Sequence, residues 1–260
     1  MTTWDAILLG AVQGLTEFLP VSSSGHLVLV EHWIGLPSDM LTFDIAVHVG
    51  TLLAVLIYFH RQLADLFLGL LGRPRPAASP RAARRLLLLL VIGSIPAGII
   101  GLLFKTQIEA VFAAPRMGAA LLMVTGVLLL VMKLFPVGHL DVGGGRAWWI
   151  GCAQAVAILP GVSRSGSTIA TGCMLGVAPA KAAEFSFLLS IPAVGGAAIL
   201  GLKDAWGTGS LGSAHLIGAI VAALTGLVAL RTVFATLQRG RFAWFGVYCL
   251  LVGFLSVLLI

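Results

Sequence analysis

The sequence predicts an all-α polytopic membrane protein built as an inverted repeat, with six transmembrane helices and two re-entrant helical hairpins. Two observations support this prediction. Of the 260 residues, 59% are hydrophobic and 10% are charged, whereas soluble domains carry about 25% charged residues. In addition, one polar motif occurs twice in this apolar chain, from Gln13 to His26 and again from Gln154 to Thr168.

The two copies of the motif align without a gap. The aligned pairs are Gln13 with Gln154, Val21 with Val162, Ser22 with Ser163, Ser24 with Ser165 and Gly25 with Gly166. Proline, glycine and clustered hydroxyls interrupt a helix, and such breaks are tolerated at membrane depth only where protein or a water-filled cavity surrounds them. Each copy therefore predicts a broken, re-entrant hairpin, and the paired breaks predict the binding site of a polar substrate.

Apolar windows of about 20 residues define the membrane spans around these hairpins. The first repeat, 1–135, is predicted to contain a hairpin at 5–33 and spans at 43–60, 86–104 and 117–135. The second repeat, 136–260, is predicted to contain a hairpin at 147–178 and spans at 182–200, 214–235 and 242–260. Three spans separate the hairpins, so the second hairpin enters the membrane from the opposite side, which makes the repeat inverted. Pro96 and Pro192 predict local kinks in their spans.

Arginine distribution sets the predicted orientation. Most loop arginines lie in two connections: Arg61, Arg73, Arg75, Arg81, Arg84 and Arg85 in the first, and Arg239 and Arg241 in the second. Both connections are therefore predicted to be cytoplasmic, with 34–42, 105–116 and 201–213 outside. The segment 72–85 is short, lacks aromatic residues and abuts a span, so a topology anchor is favoured and no nucleic-acid partner is expected. Cys152, Cys173 and Cys249 lack metal-site spacing and are interpreted as small buried side chains.

The first hairpin carries an amide, a carboxylate, hydroxyls and an imidazole. Gln13 and Glu17 are four residues apart, so they project from the same face of a helix. After the break the return limb opens with a polar set: Ser22, Ser23, Ser24 and His26. Free backbone N–H groups at such a helix start attract anions. This hairpin is therefore predicted to contribute one half of an anion site.

The second hairpin supplies the matching half. Ser163, Ser165 and Thr168 occupy the equivalent break, and Arg164 adds a fork of donors suited to two phosphate oxygens. Serine and glycine clusters often serve helix packing alone. A buried charge such as Glu17 or Arg164, however, costs about 2.5–3.5 kcal/mol on insertion scales, which packing would not justify. We therefore predict an oxyanion receptor.

Other polar residues receive weaker assignments. Asp44 and Glu184 are expected either to line the cavity or to anchor span ends, and the sequence leaves both alternatives open. The remaining group is expected at the membrane interface: Glu31, His32, His60, His139 and His215.

The chain resembles the undecaprenyl-diphosphate phosphatase family, the membrane enzymes linked to bacitracin resistance. The resemblance rests on three motifs: Gln13 to His26, Pro160 to Thr168, and Glu184 to Pro192. It implies an enzyme of the bacterial plasma (inner) membrane whose site opens to the outer, periplasmic face. The implied reaction, with Mg²⁺ or Ca²⁺, removes the terminal phosphate of C55 isoprenyl diphosphate so that the lipid carrier of cell-wall synthesis is reused.

The resemblance also implies roles for individual residues. The family's acidic metal-binding pair falls on Gln13 and Glu17, and its phosphate-binding arginine falls on Arg164. Its histidine falls on His26, and its hydroxyl candidates fall on Ser22, Ser23 and Ser163. Where many members have glutamate this chain has Gln13, a neutral ligand, so Glu17 is expected to carry more of the metal binding.

The sequence leaves the nucleophile open. Ser23 with His26 as its base is favoured, while Glu17 as that base, direct attack by His26, or an activated water are alternatives. The rival function is a transporter or flippase of a lipid phosphate or small anion, because such carriers also use inverted repeats with broken helices. A carrier does not need Glu17 beside a histidine and a serine-rich break. The expected partners are the lipid substrate and membrane lipids, and a homodimer is one open alternative for assembly.

Overall fold

The computed structural model describes residues 1–36, 40–73, 79–112, 114–205 and 212–260, and their regular structure is helical. The helices are α1 Thr3–Phe18, α2 Ser23–Trp33, α3 Leu41–Tyr58, α4 His60–Leu70, α5 Pro80–Leu103, α6 Lys105–Phe112, α7 Pro115–Met132, α8 Gly144–Val156, α9 Arg164–Met174, α10 Pro179–Ala205, α11 Ser213–Gln238 and α12 Trp244–Leu259. The prediction of an all-α protein is therefore confirmed for the described residues.

Several helices are long and apolar enough to cross a membrane. Four satisfy this by themselves: α5, α7, α10 over Pro179–Ile199, and α11. The pair α3 and α4 makes a fifth if it counts as one span, although it is bent by 73° at Phe59. Helix α12 is apolar but has only 16 residues. These helices make the chain a multi-pass membrane protein.

Two features of the first half differ from the predicted boundaries. Helix α5 begins at Pro80 and not at 86, because the Ser79 hydroxyl accepts a hydrogen bond from the Ala82 N–H and proline suits the first helical turn. The chain after Tyr58 forms a separate helix, α4, where a loop was predicted. Pro96 and Pro192 lie within α5 and α10, which continue on both sides of them.

Each predicted hairpin is a pair of helices joined by a short break. The first break is 19–22, between α1 and α2, and the second is 157–163, between α8 and α9. Helix α1 packs on α11 while α8 packs on α5, and α7 packs on α12. A cluster of aromatic side chains lies beside the first break, since the ring of Phe18 contacts Phe187, which also contacts Phe59 and Phe234.

Candidate active site

The two helix breaks contact each other. The hydroxyls of Ser22 and Ser163 cap α2 and α9 by accepting hydrogen bonds from the N–H groups of Gly25 and Gly166. Gly25 faces Gly161 so closely that a Cβ at Gly25 would lie 2.9 Å from the Gly161 Cα. Ser22 has a φ of 65°, which is uncommon for a residue other than glycine. The polar breaks that the sequence predicted are thus brought together.

The carboxylate of Glu17 connects the two hairpins. One oxygen, Oε1, accepts a hydrogen bond from Arg164 Nη2 at 2.5 Å, so this ion pair joins α1 to α9. The other oxygen, Oε2, accepts from Ser23 Oγ at 2.5 Å and from Gln13 Nε2 at 3.0 Å. Glu17 is only 7% exposed. Because a buried charge needs such partners, these three donors explain how an ionised Glu17 is accommodated.

Arg164 is held in place from several directions. It is the first residue of α9, and its Nη1 donates to the Ser186 carbonyl at 3.4 Å. The Thr168 hydroxyl donates to the Arg164 carbonyl at 2.7 Å and lies 2.6 Å from the hydroxyl of Ser186. A guanidinium has five N–H donors. The two hydrogen bonds to described residues therefore leave donors for an anion beside Glu17.

Thr125, which sequence reasoning missed, fixes the second break. Its hydroxyl donates to the Gly161 carbonyl and accepts from the Ser163 N–H, both at 2.9 Å. Ser165 adds a link between the hairpins because its hydroxyl donates to the Leu19 carbonyl at 3.0 Å. A single threonine within an apolar span gave no signal in the sequence, since such residues commonly bond only to their own helix.

His26 lies close to Ser23 in sequence, but its hydrogen bonds go elsewhere. Its Nδ1 lies 2.8 Å from the Ser22 carbonyl, and its Nε2 lies 2.9 Å from the Tyr248 hydroxyl. A carbonyl can only accept, so Nδ1 carries the hydrogen and, in the neutral ring, Nε2 accepts from Tyr248. The rings of His26 and Tyr248 are nearly parallel, 5.7 Å apart. The favoured pairing of Ser23 with His26 is therefore replaced in this structure by a pairing of Ser23 with Glu17.

Gln13 and Glu17, the predicted metal ligands, are hydrogen-bonded to each other in this structure. The Gln13 Nε2 donates to Glu17 Oε2, while the Gln13 Oε1 is buried without a hydrogen-bond partner among the described residues. The described residues contain no group of three or more His, Cys, Asp or Glu side chains able to hold a metal ion. Dependence of activity on a divalent cation stays a prediction.

The remaining polar residues divide between the site and its surroundings. His48 approaches the site, with Nε2 3.9 Å from Glu17 Oε2. Glu184 accepts a hydrogen bond from Gln62. Gln154, the repeat partner of Gln13, is buried, and neither of its amide atoms has a hydrogen-bond partner in the part of the chain that the structure describes. The repeat aligns Glu17 with Ile158, so the second copy has no carboxylate for Gln154 to bond.

Glu31 departs from its predicted location. It was expected at the membrane interface, but it is 6% exposed because the last turn of α2 brings it against Asp44 near the start of α3. Of the four histidines expected there, His32, His60 and His139 are exposed and His215 is partly buried.

Where the two hairpins meet, a positively charged group lies beside a serine and its neighbouring proton acceptor. Arg164 and two helix starts supply positive charge and N–H donors. Ser23 lies within hydrogen-bonding distance of the Glu17 carboxylate, as a serine nucleophile and its base must be.

Comparisons with known proteins place the chain in a family. The family model described as "Bacitracin resistance protein BacA" matches residues 6–255. The undecaprenyl-diphosphatase of Desulfosudis oleivorans is 45% identical over 262 residues, covering 96% of this chain and 95% of its own. That of Salinibacter ruber is 40% identical over 270 residues, covering 100% of both chains. These matches span nearly the whole chain, and the protein belongs to the bacitracin resistance protein BacA family.

Proposed function

We propose that this protein hydrolyses undecaprenyl diphosphate to undecaprenyl phosphate and inorganic phosphate. The observation that carries the proposal is the joint contact of Ser23 and Arg164 with one buried carboxylate, Glu17. The relatives named undecaprenyl-diphosphatase support the substrate. Such an enzyme would recycle the lipid carrier of cell-wall synthesis and thereby confer bacitracin resistance.

Substrate binding starts from the charge distribution of the two hairpins. The diphosphate enters beside Arg164, whose guanidinium can hold two oxygens of the terminal phosphate in its fork. The N–H groups at the starts of α2 and α9 point toward the same anion. Glu17 keeps the Arg164 guanidinium oriented. The Arg164 charge and the N–H groups of the two helix starts offset the repulsion between the Glu17 carboxylate and the diphosphate.

The chemical step uses Ser23 as the nucleophile. Glu17 accepts the Ser23 proton as Oγ attacks the terminal phosphorus, the phosphoanhydride bond breaks, and the electron pair leaves with undecaprenyl phosphate. A phosphoserine results, and Glu17 passes the Ser23 proton to solvent. Glu17 then accepts a proton from the water that attacks the phosphoserine and returns it to Ser23 Oγ as inorganic phosphate leaves. His26, with Nε2 facing Tyr248, contributes to binding or orientation and not to the first proton transfer.

The membrane arrangement of this proposal is an inverted repeat of six spans and two re-entrant hairpins in the bacterial plasma membrane. Its support is that helices pack across the two repeats in an equivalent way. Helix α1 of the first repeat packs on α11 of the second, and α8 of the second repeat packs on α5 of the first. The aligned glycines lie at these contacts: Gly10 packs against the backbone carbonyl of Gly218, and Gly151 packs against that of Gly93. The arginine-rich connections mark the cytoplasmic side. The resemblance to the family implies that the site opens to the outer side.

Phosphate release by the purified protein in detergent tests the proposal, since a carrier requires a sealed membrane. We expect the wild type to release phosphate from C55 isoprenyl diphosphate, and Ser23→Ala and Glu17→Gln to lose about 10²-fold or more in kcat. Ser256→Ala is the matched control, because the Ser256 hydroxyl is also buried but has no hydrogen-bond partner among the described residues. Its turnover should equal that of the wild type.

Two outcomes would count against the proposal. Absence of phosphate release by the wild type, together with anion movement in sealed vesicles, would favour the transporter. Normal turnover in Ser23→Ala would remove Ser23 as nucleophile and leave His26 or water.

A further inference from the structure

Helix α12 presents a continuous row of exposed side chains to the surface of the bundle. The row follows helical spacing and consists of Trp244, Tyr248, Leu251 and Leu255. Residues three and four positions apart share one face of a helix, so these side chains form a single stripe, the α12 stripe. Because α12 is an apolar helix of a membrane protein, the stripe faces lipid. Tyr248, which is 43% exposed, is its one residue with a hydroxyl group.

The hydroxyl of Tyr248 turns away from lipid and contacts His26. It lies 2.9 Å from His26 Nε2, and the two rings are nearly parallel. His26 is only 9% exposed and follows Ser23 by three residues on α2, so the two side chains project from the same side of that helix. Ser23 in turn bonds to Glu17. Tyr248, with an apolar ring and a polar end, therefore forms the boundary between the α12 stripe and the proposed active site.

Several neighbouring helix seams are closed by backbone contacts. A Cβ at Gly14 of α1 or at Gly50 of α3 would overlap the backbone of α11. A Cβ at Gly126 of α7 would lie 2.8 Å from the carbonyl oxygen of Gly246 on α12. Backbones packed this closely separate only when whole helices move. These seams leave no path for a lipid chain.

Helices α2 and α12 meet in a different way. Both pack on α7, where Leu29 of α2 and Cys249 of α12 are buried in one cluster. Beside this cluster the contact between α2 and α12 is made by side chains, the ring of Tyr248 on that of His26. An exposed side chain changes rotamer within nanoseconds and without movement of the backbone. A chain can therefore pass between the site and lipid at this seam.

We propose that the isoprenyl chain of the substrate leaves the active site between α2 and α12 and lies along the α12 stripe, against the ring of Tyr248. This inference deepens the proposed function, on which it rests for the identity of the lipid. The terminal phosphate is held by Arg164 among buried polar groups, whereas a C55 chain is apolar and must remain in hydrocarbon. The seam joins these two environments by the contact of Tyr248 with His26. The apolar side chains of the stripe suit a methyl-branched chain.

The first test is photo-crosslinking with an isoprenyl monophosphate that carries a benzophenone on its chain. The purified wild type is irradiated in detergent and digested with trypsin, which releases α12 in the peptide 242–260, because this peptide follows Arg241 and contains no lysine or arginine. We expect this peptide to be labelled, and unlabelled undecaprenyl phosphate to compete. Arg164→Ala should reduce the labelling at least about tenfold, because the phosphate loses its charged hydrogen bonds.

The second test compares Tyr248→Phe with Tyr248→Ala in hydrolysis of C55 isoprenyl diphosphate. Both variants lose the hydrogen bond to His26, but Tyr248→Phe keeps the ring. We expect Tyr248→Phe to keep the wild-type KM and Tyr248→Ala to raise it about fivefold, since an aromatic ring contact is lost. Leu224→Ala is the matched control, because Leu224 is an exposed apolar residue on α11, outside the stripe, and its KM should equal that of the wild type.

The two tests give outcomes that would overturn the proposal. Equal labelling of 242–260 in the wild type and Arg164→Ala would show that the probe only partitions from detergent onto the stripe. Absence of label from 242–260, as expected if a second copy of the chain covers the stripe, or a wild-type KM in Tyr248→Ala would also reject the path.

Phosphate release by the wild type separates this proposal from the proposed function. Labelling of 242–260 that unlabelled lipid competes away, without phosphate release, would support the path and reject the reaction. Phosphate release with the label confined to other helices would reject the path and leave the reaction intact.

Discussion

Replacement of Thr125 by valine should destabilise the second helix break while keeping the shape of the side chain. Thr125 on α7 is fully buried, and its hydroxyl bridges the Ser163 N–H and the Gly161 carbonyl, each at 2.9 Å. Thr125→Val leaves both backbone groups unpaired. Each unpaired buried group costs about 1–3 kcal/mol, so the loss should be about 2–6 kcal/mol if no water replaces the hydroxyl.

The assay is thermal unfolding in detergent, combined with phosphate release from the C55 substrate. Because Ser163 precedes Arg164, a displaced break should also move the guanidinium, so kcat should fall together with the Tm. Thr232→Val is the matched control: Thr232 is exposed and its hydroxyl donates to the Val228 carbonyl of its own helix. A Tm and kcat that match the wild type in Thr125→Val would refute the inference that this hydroxyl holds the break.

Three further predictions concern the site and its orientation. Arg164→Lys and Arg164→Ala should both lose most activity, because neither side chain can reproduce the bonds of the fork to Glu17 and Ser186; near-normal kcat in Arg164→Lys would argue against a bidentate clamp. Tyr248→Phe removes the hydrogen-bond partner of His26 Nε2, worth about 1 kcal/mol, so the Tm should fall by about 2–4 °C and kcat by up to about fivefold, with an altered pH profile; an unaltered pH profile would separate Tyr248 from the reaction. In intact cells, a cysteine at Ser79 should resist an impermeant thiol reagent while one at Gln107 is labelled, and the reverse result would invert the topology.

The repeated motif by itself determined where the helices break and which residue types meet there. Charged side chains such as Glu17 and Arg164 are costly in a membrane, so their presence within the motif predicted a polar site without any knowledge of contacts. Because charged side chains are costly in a membrane, their scarcity elsewhere in the chain, together with apolar runs of spanning length, predicted the all-α class. Hydropathy did not predict the helix boundaries at Pro80 and Phe59, because a helix cap and a bend between two helices have little effect on hydropathy.

The tertiary structure decided which polar groups bond to which. Ser23 pairs with Glu17 because the break folds α2 back on α1, while His26 turns to Tyr248, a residue that lies far along the chain on α12. Thr125 and Glu31 gained their surroundings in the same way, from helices that sequence spacing does not relate to them. Periodicity tells which face of a helix a side chain occupies, but the partner on that face depends on how the helices pack.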